Sequence, residues 1–271
     1  MGKSILLKVL PRWADEIERI SYLSNSETPP VVSVLGKYNH GKSTLLNALV
    51  GQEVFRVSDI RETTALYTFE HDGIEWLDTP GLDADVAADD DRLARQGAWT
   101  EADIRLFVHS VREGELDRTE QELIHALRDD CEGSRRKVFA VLTQIEQVED
   151  EDALRRILET TQRQLQGLEF FPVSAARYSQ GIERNKPILI KRSGLPELLA
   201  RIKHAALEVP GNRKDEIATL SEILLGDLER SQASHTAKLA RQLQKKATRL
   251  DTFDREFHDL RTMLHHKLNE A

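Results

Sequence analysis

Apolar positions change their spacing twice along this chain, and the changes divide it into three stretches. Over 4–24, Leu6, Leu10, Trp13, Ile17 and Ile20 recur at steps of three and four. That is one stripe of an amphipathic helix, with Pro11 marking a restart or kink. Asn25 to Pro30 reads as a linker, because serine, asparagine and paired prolines resist both helix and central strand. From Val31 onward, short β-branched or aromatic runs alternate with helical stretches. The predicted strands are Val31–Leu35, Leu66–Phe69, Ile74–Leu77, Ile104–His109, Lys137–Thr143 and Phe170–Val173. Leu66–Phe69 and Ile74–Leu77 are close enough, through His71-Asp72-Gly73, to form a hairpin. The other connections leave room for crossover helices near 42–51, 88–100, 117–130, 150–166 and 194–208. The expected architecture is therefore α/β, a mostly parallel sheet with one antiparallel edge.

Beyond Pro210-Gly211 the strands stop and Lys, Arg, Glu and Gln dominate. Leu239, Leu243, Leu250, Phe253, Phe257, Leu260 and Leu264 continue at helical steps, and 243, 250, 257 and 264 are seven apart, which makes one long apolar seam. Such a seam needs a partner. Either the 4–24 helix folds back on it as a small bundle, or another chain covers it. The expected organisation is an N-terminal helix and linker at 1–29, an α/β domain at 30–209 and a helical segment at 210–271. Ser179–Arg192 reads as an inserted surface loop.

With 271 residues, one core domain and an appendage are expected, and 39% hydrophobic with 31% charged residues suits folding in water. No apolar run is long enough for a membrane span, and the start lacks a signal-peptide core, so a cytoplasmic protein is expected, with peripheral membrane contact left open. The single cysteine, Cys131, has no internal disulfide partner. A net charge of −8 argues against a broad nucleic-acid surface, so no nucleic-acid partner is expected.

The sharpest chemical signal is Gly36-Lys37-Tyr38-Asn39-His40-Gly41-Lys42-Ser43, which matches G-x-x-x-x-G-K-[ST] between a β-branched strand and the helix opening Ser43-Thr44-Leu45. Glycines let the backbone wrap a polyphosphate, successive N–H groups and the helix N-terminus face the anion, Lys42 neutralises it, and Ser43 offers a hydroxyl to Mg²⁺. Asp78-Thr79-Pro80-Gly81 follows at a strand end. Alone it is an ordinary turn. After a phosphate loop, Asp78 reads as a metal ligand through water and the Gly81 N–H as a γ-phosphate sensor.

The order and wording of these pieces, including Asp78-Thr79-Pro80-Gly81-Leu82 and Gly-Lys-Tyr-Asn-His-Gly-Lys-Ser-Thr-Leu-Leu-Asn-Ala-Leu, resemble the Era-like and dynamin-like P-loop GTPases, with bacterial dynamin-like proteins the nearest likeness. The resemblance covers 31–205. It implies a Ras-like domain with a six-stranded sheet, GTP or GDP with Mg²⁺, slow hydrolysis stimulated by self-association, and a helical bundle built from both chain ends. It also implies a switch threonine in Arg61-Glu62-Thr63-Thr64-Ala65, with Thr64 favoured over Thr63 as the metal ligand. Self-association, a helical protein partner or a membrane surface are the implied working contacts.

Other positions depart from the pattern or extend it. Thr143-Gln144-Ile145-Glu146 stands where the family has [NT]-K-x-D, so Glu146 retains a guanine acceptor one methylene longer and Gln144 lacks the cation. Val173-Ser174-Ala175-Ala176 resembles the loop whose alanine N–H reads the guanine O6; by itself it is a helix cap. Leu82 occupies the place of the water-orienting glutamine. Related families use carbonyls, a P-loop residue or a K⁺ ion held by an asparagine placed like Asn39, so Asn39 is the K⁺ candidate beside the plainer role of bracing the turn. Tyr38 and His40 face the nucleotide by position, and loop packing is the stronger reading for both.

Overall fold

The structure, a computed structural model, describes residues 2–24, 28–56, 66–79 and 96–269. Aliphatic and β-branched runs too short for helices form one sheet from β1 (Val31–Leu35), β2 (Tyr67–His71), β3 (Ile74–Asp78), β4 (Ile104–Ser110), β5 (Lys137–Thr143) and β6 (Phe170–Pro172). Its six strands run in the order β2-β3-β1-β4-β5-β6. β2 pairs antiparallel to β3 at the edge, with Phe69 opposite Trp76, and β1 lies parallel to both β3 and β4. This is the expected α/β architecture, with the β1–β4 junction at the sheet centre.

Among the described residues the helices are α1 (Gly2–Val9), α2 (Ala14–Ser24), α3 (Lys42–Val50), α4 (Arg118–Ser134), α5 (Glu151–Gln164), α6 (Ala175–Glu183), α7 (Pro187–Arg192) and α8 (Leu195–Asn269). Alternation along the strands sends side chains to two faces. Val32, Val34, Leu106 and Val108 pack with Leu45, Leu46 and Leu49 of α3 and Leu198 and Ile202 of α8. Leu35, Phe107 and Ala140 pack on the opposite face with Ile124 and Leu127 of α4. Both strand faces are covered, which is why these strands read as unbroken apolar runs.

The chain divides into two compact units, Trp13–Ser221 on one side and Met1–Arg12 with Glu222–Ala271 on the other. Pro11 restarts the helix as expected, opening a short turn between α1 and α2, and α2 lies in the Trp13–Ser221 unit. Two local expectations change. Ser179–Arg192 is not an inserted loop: it ends α6 and forms α7, closed so tightly at Gly181 that a Cβ there would lie 2.7 Å from Ile190 Cγ1. Nor does Pro210 end a helix, for α8 runs through it. Buried residues on both sides hold the helix against the lost N–H: Ala206 and Val209 before it, and after it Glu216, which is 2% exposed.

That anchoring is ionic. Arg19 of α2 reaches Asp103 Oδ1 at 2.8 Å and Glu216 Oε2 at 3.1 Å, and its Nη1 donates to the Thr100 and Glu101 carbonyls at 3.0 Å each. Arg213 also pairs with Asp103, whose Oδ2 accepts the Val31 N–H at 2.8 Å. With Arg136 Nε 3.3 Å from Glu216 Oε1, two carboxylates and three guanidiniums thus pair beneath the start of β1 and β4. The arrangement suits burial only while every member is present.

In the other unit, Leu10, Leu224 and Asp227 are buried. Arg12 and Arg230 both pair with Asp227, tying the N-terminal segment to the early part of that helix. Residues 232–265 are exposed throughout.

Candidate functional site

After β1 the chain turns at Gly36, where φ is 152° and an added Cβ would lie 2.2 Å from the Val108 carbonyl oxygen of β4. Only glycine fits so close an approach. Asn39 (φ 61°) and Gly41 (φ 81°) take left-handed conformations that curl the following amides inward, and Gly41 caps α3 without a side-chain bond. The first-turn N–H groups of α3 are thus left without a side-chain cap, an arrangement suited to an anion. Lys42 is nearly buried; its Nζ donates to the Gly36 carbonyl at 3.0 Å and the Lys37 carbonyl at 2.9 Å, so the ammonium lies over the loop that precedes it. Tyr38 is half-buried, and Asn39 and Thr44 are exposed.

β3 runs parallel to β1 and brings Asp78 beside α3. The Ser43 hydroxyl donates to Asp78 Oδ2 at 2.8 Å, while Asp78 Oδ1 is buried with no hydrogen-bond partner. Burial pushes the Asp78 carboxyl up, against the Ser43 hydrogen bond, the Lys42 charge and the Thr79 N–H. An unspent anionic oxygen next to a hydroxyl is a donor set suited to a hard cation, so these residues fit Mg²⁺. Next to it the Thr79 hydroxyl donates to the Val34 carbonyl at 2.6 Å and pins the end of β3 to β1. Arg61, Thr63, Thr64, Gly81 and Leu82 lie outside the described residues.

Two of the base-side candidates, Thr143 and Gln144, lie where β4, β5 and the loop meet. Thr143 donates to the His40 carbonyl at 2.7 Å, so its hydroxyl braces the loop. Gln144, at φ 60°, accepts from Ser110 Oγ at 2.6 Å and donates to the Asn39 carbonyl at 3.2 Å. A neutral amide therefore straps β4 to the phosphate loop at the position where the resemblance places a cation. Glu146 follows in the turn Ile145–Gln147 and has Oε2 buried without a partner. Ser174 caps α6, accepting the Arg177 N–H at 3.0 Å, and Ala175 and Ala176 open that helix.

His40 takes the loop-packing reading. Its side chain is buried beneath the loop, with Nδ1 3.3 Å from the Val108 carbonyl and 3.5 Å from Glu120 Oε1. His109 completes this layer, placing Nδ1 2.8 Å from Glu120 Oε1 and Nε2 3.0 Å from the Gly114 carbonyl. Both His109 nitrogens are thus engaged. Burial holds the His40 imidazole below its ordinary value despite Glu120. Burial alone would raise Glu120, but the His109 hydrogen bond and charge bring it below the ordinary carboxylate range. Glu120 also closes the capping box of α4 with Asp117, and Asp117 pairs with Lys37. The phosphate loop is thus tied to the start of α4 at two points. The Asp117-x-x-Glu120 spacing is a legible helix start; nothing in the sequence announces that His40 and His109 meet it.

The family described as 50S ribosome-binding GTPase matches residues 31–144. An uncharacterised protein of Acinetobacter baylyi is 48% identical over 211 residues, covering 78% of this chain and 50% of that protein. The GTPase Era of Trichlorobacter lovleyi is 30% identical over 173 residues, 61% of this chain and 55% of its own. This chain spans about half the length of the curated relatives it matches. Among solved structures, Era in complex with MgGDPNP and nucleotides 1506–1542 of 16S ribosomal RNA is 27% identical, with a TM-score of 0.46 over 60% of this chain and 57% of that one. An oligomerised bacterial dynamin pair, described as sensing and tethering membranes, is 16% identical, with a TM-score of 0.56 over 97% of this chain and 50% of that one. The Era complex overturns the expectation that no nucleic acid is a partner: a related GTPase is solved with RNA, so a net charge of −8 excludes nothing of the kind. Motif, sheet order and loop geometry agree with the matched family on a P-loop GTPase fold, similar in sequence to Era and in fold to the dynamin pair.

Proposed function

We propose that this chain binds GTP with Mg²⁺ and hydrolyses it slowly, as a switch whose nucleotide state governs association through the C-terminal helix. The observation that carries the reading is the Ser43–Asp78 pair at 2.8 Å with Asp78 Oδ1 unspent, set beside the Lys42 ammonium. In this reading the α3 amides and Lys42 hold the β- and γ-phosphates, and Ser43, Asp78 and Thr64 hold the metal. Mg²⁺ supplies neutralisation of the charge that develops on the transferred phosphoryl group. The Gly81 N–H reports the γ-phosphate, Glu146 accepts from the guanine edge, and the amides opening α6 at Ala175 and Ala176 face O6. Asn39 is the ligand for K⁺, in a protein acting in the cytoplasm or at a membrane surface.

A second reading, a nucleotide-binding scaffold with little turnover, is favoured by Leu82 and by the uncharged Gln144 strap. Single-turnover phosphate release from purified protein, in K⁺ and in Na⁺ and at several protein concentrations, separates the two. Release that rises with protein concentration and falls in Na⁺ supports the full reading. Binding of GTP without release under any condition leaves the scaffold, and a preference for ATP in competition defeats both.

A further inference from the structure

The exposed stretch of α8 has a face with a definite period. Leu239, Leu243, Leu250, Phe253, Phe257, Leu260 and Leu264 are each half-exposed. With Leu243 at heptad position a, Leu250, Phe257 and Leu264 are also a, and Leu239, Phe253 and Leu260 are d. The seam is ~38 Å long at 1.5 Å per residue, which is the length a two-stranded coil requires. Phe253 and Phe257 stack with ring centroids 6.1 Å apart, so the apolar surface is continuous at its centre. Asp251 and Arg255 pair with each other at the outward b and f positions. The chain's own N-terminal segment is engaged at Asp227, well before the seam begins.

The flanking charges identify the occupant. Arg249 and Glu256 fall at g, and Asp254 and Arg261 at e. In a parallel, in-register pair each g residue meets the e residue five positions on in its partner, so Arg249 meets Asp254 and Glu256 meets Arg261, on both sides of the seam. In an antiparallel pair with full overlap, g meets g, which matches Arg249 with Glu256 and leaves Asp254 and Arg261 facing alanines. Lys246, at d, is the one interruption; its long stem reaches past the seam to water, at a cost in stability.

We propose that residues 239–264 form a parallel, in-register coiled coil with a second copy of this chain. This rests on the self-association part of the reading above and specifies its surface and orientation. Sedimentation of the full chain is expected to give a dimer with GTP and a weaker one without nucleotide, and joint Leu250→Asp and Phe257→Asp substitution a monomer in both conditions that still binds GTP. Arg249→Asp is expected to weaken the dimer about tenfold and added Asp254→Arg to restore it. With Cys131→Ser as background, Leu250→Cys is expected to cross-link to itself on oxidation. A monomer in every nucleotide state overturns the proposal. So does rescue of Arg249→Asp by Glu256→Arg in place of Asp254→Arg, or cross-linking only between Leu243→Cys and Leu260→Cys, either of which means antiparallel chains. Loss of GTP binding with the dimer intact counts against the nucleotide site and leaves the coil standing.

Discussion

The two ends of the nucleotide cleft are built on opposite principles. At the phosphate end, backbone geometry does most of the work: Gly36 is forced by the Val108 carbonyl, Gly41 opens α3, and one buried ammonium adds charge. At the base end, side chains dominate, and they are neutral except for Glu146. Gln144 spends both of its polar atoms on Ser110 and Asn39, and one Glu146 carboxyl oxygen is left without a partner. On the function proposed above, a grip made of amides holds any polyphosphate and selectivity for the base rests on a single acceptor, so affinity and specificity should be separable by mutation.

The largest effect tests the phosphate end. Lys42→Ala removes charge-assisted bonds to the phosphates and is expected to weaken GTP and ATP alike by about a hundredfold in a fluorescent-nucleotide titration. An equal loss for both nucleotides supports the division; a loss confined to GTP would break it. Glu146→Ala comes next and should act in the complementary way. Hydrogen bonds to a charged acceptor contribute ~1.5–3 kcal/mol, so GTP binding should fall about thirtyfold while ATP binding stays put. If both fall together, Glu146 supports the fold of the loop and the base end has no selective group of its own.

Gln144→Ala sharpens the comparison, because Gln144 belongs to both ends. Losing its bonds to Ser110 and the Asn39 carbonyl should loosen the phosphate loop and cost about 1 kcal/mol, or roughly fivefold, on every nucleotide. The faster off-rate should be visible by stopped flow. A guanine-only change would instead mean that the amide touches the base, and would move it from strap to reader.

Legibility in the sequence followed the same division. The phosphate end was readable because steric demands leave their mark on residue type: glycine at Gly36 and Gly41, a lysine and a serine at fixed offsets, and a carboxylate at the end of a buried strand. The strands were readable too, since burial on both faces requires unbroken apolar runs such as Ile104–Val108. Pro210 misled, because local propensity marks it as a stop, and the burial of Ala206 and Val209 with the ion pairs of Arg213 and Glu216 to Asp103 and Arg19 overrides it. Ser179–Arg192 misled for a related reason. Its Gly181 looks like a loop residue but supplies the space in which α7 meets α6. The His40–His109–Glu120 layer left no local trace at all, since it is assembled by parallel pairing of strands distant in sequence.

That hidden layer supplies the smallest effect and a different way to probe the phosphate end. His40 is buried and held below its ordinary value of 6.5, mainly by loss of hydration. The unfolded chain therefore takes up this proton more readily than the folded one, and the contribution of neutral His40 is complete above pH 6.5 and is lost as pH falls through the lowered value. Glu120 is depressed below 4.5, so its contribution is lost in the same direction but at lower pH. Thermal unfolding should accordingly show two successive losses on acidification. His40→Gln should cost about 1 kcal/mol at neutral pH through the weakened contact to the Val108 carbonyl. It should also abolish the upper loss and leave the lower one. A variant that keeps both would mean that His40 is not the titrating group, and that the loop is held from below by His109 and Glu120 alone.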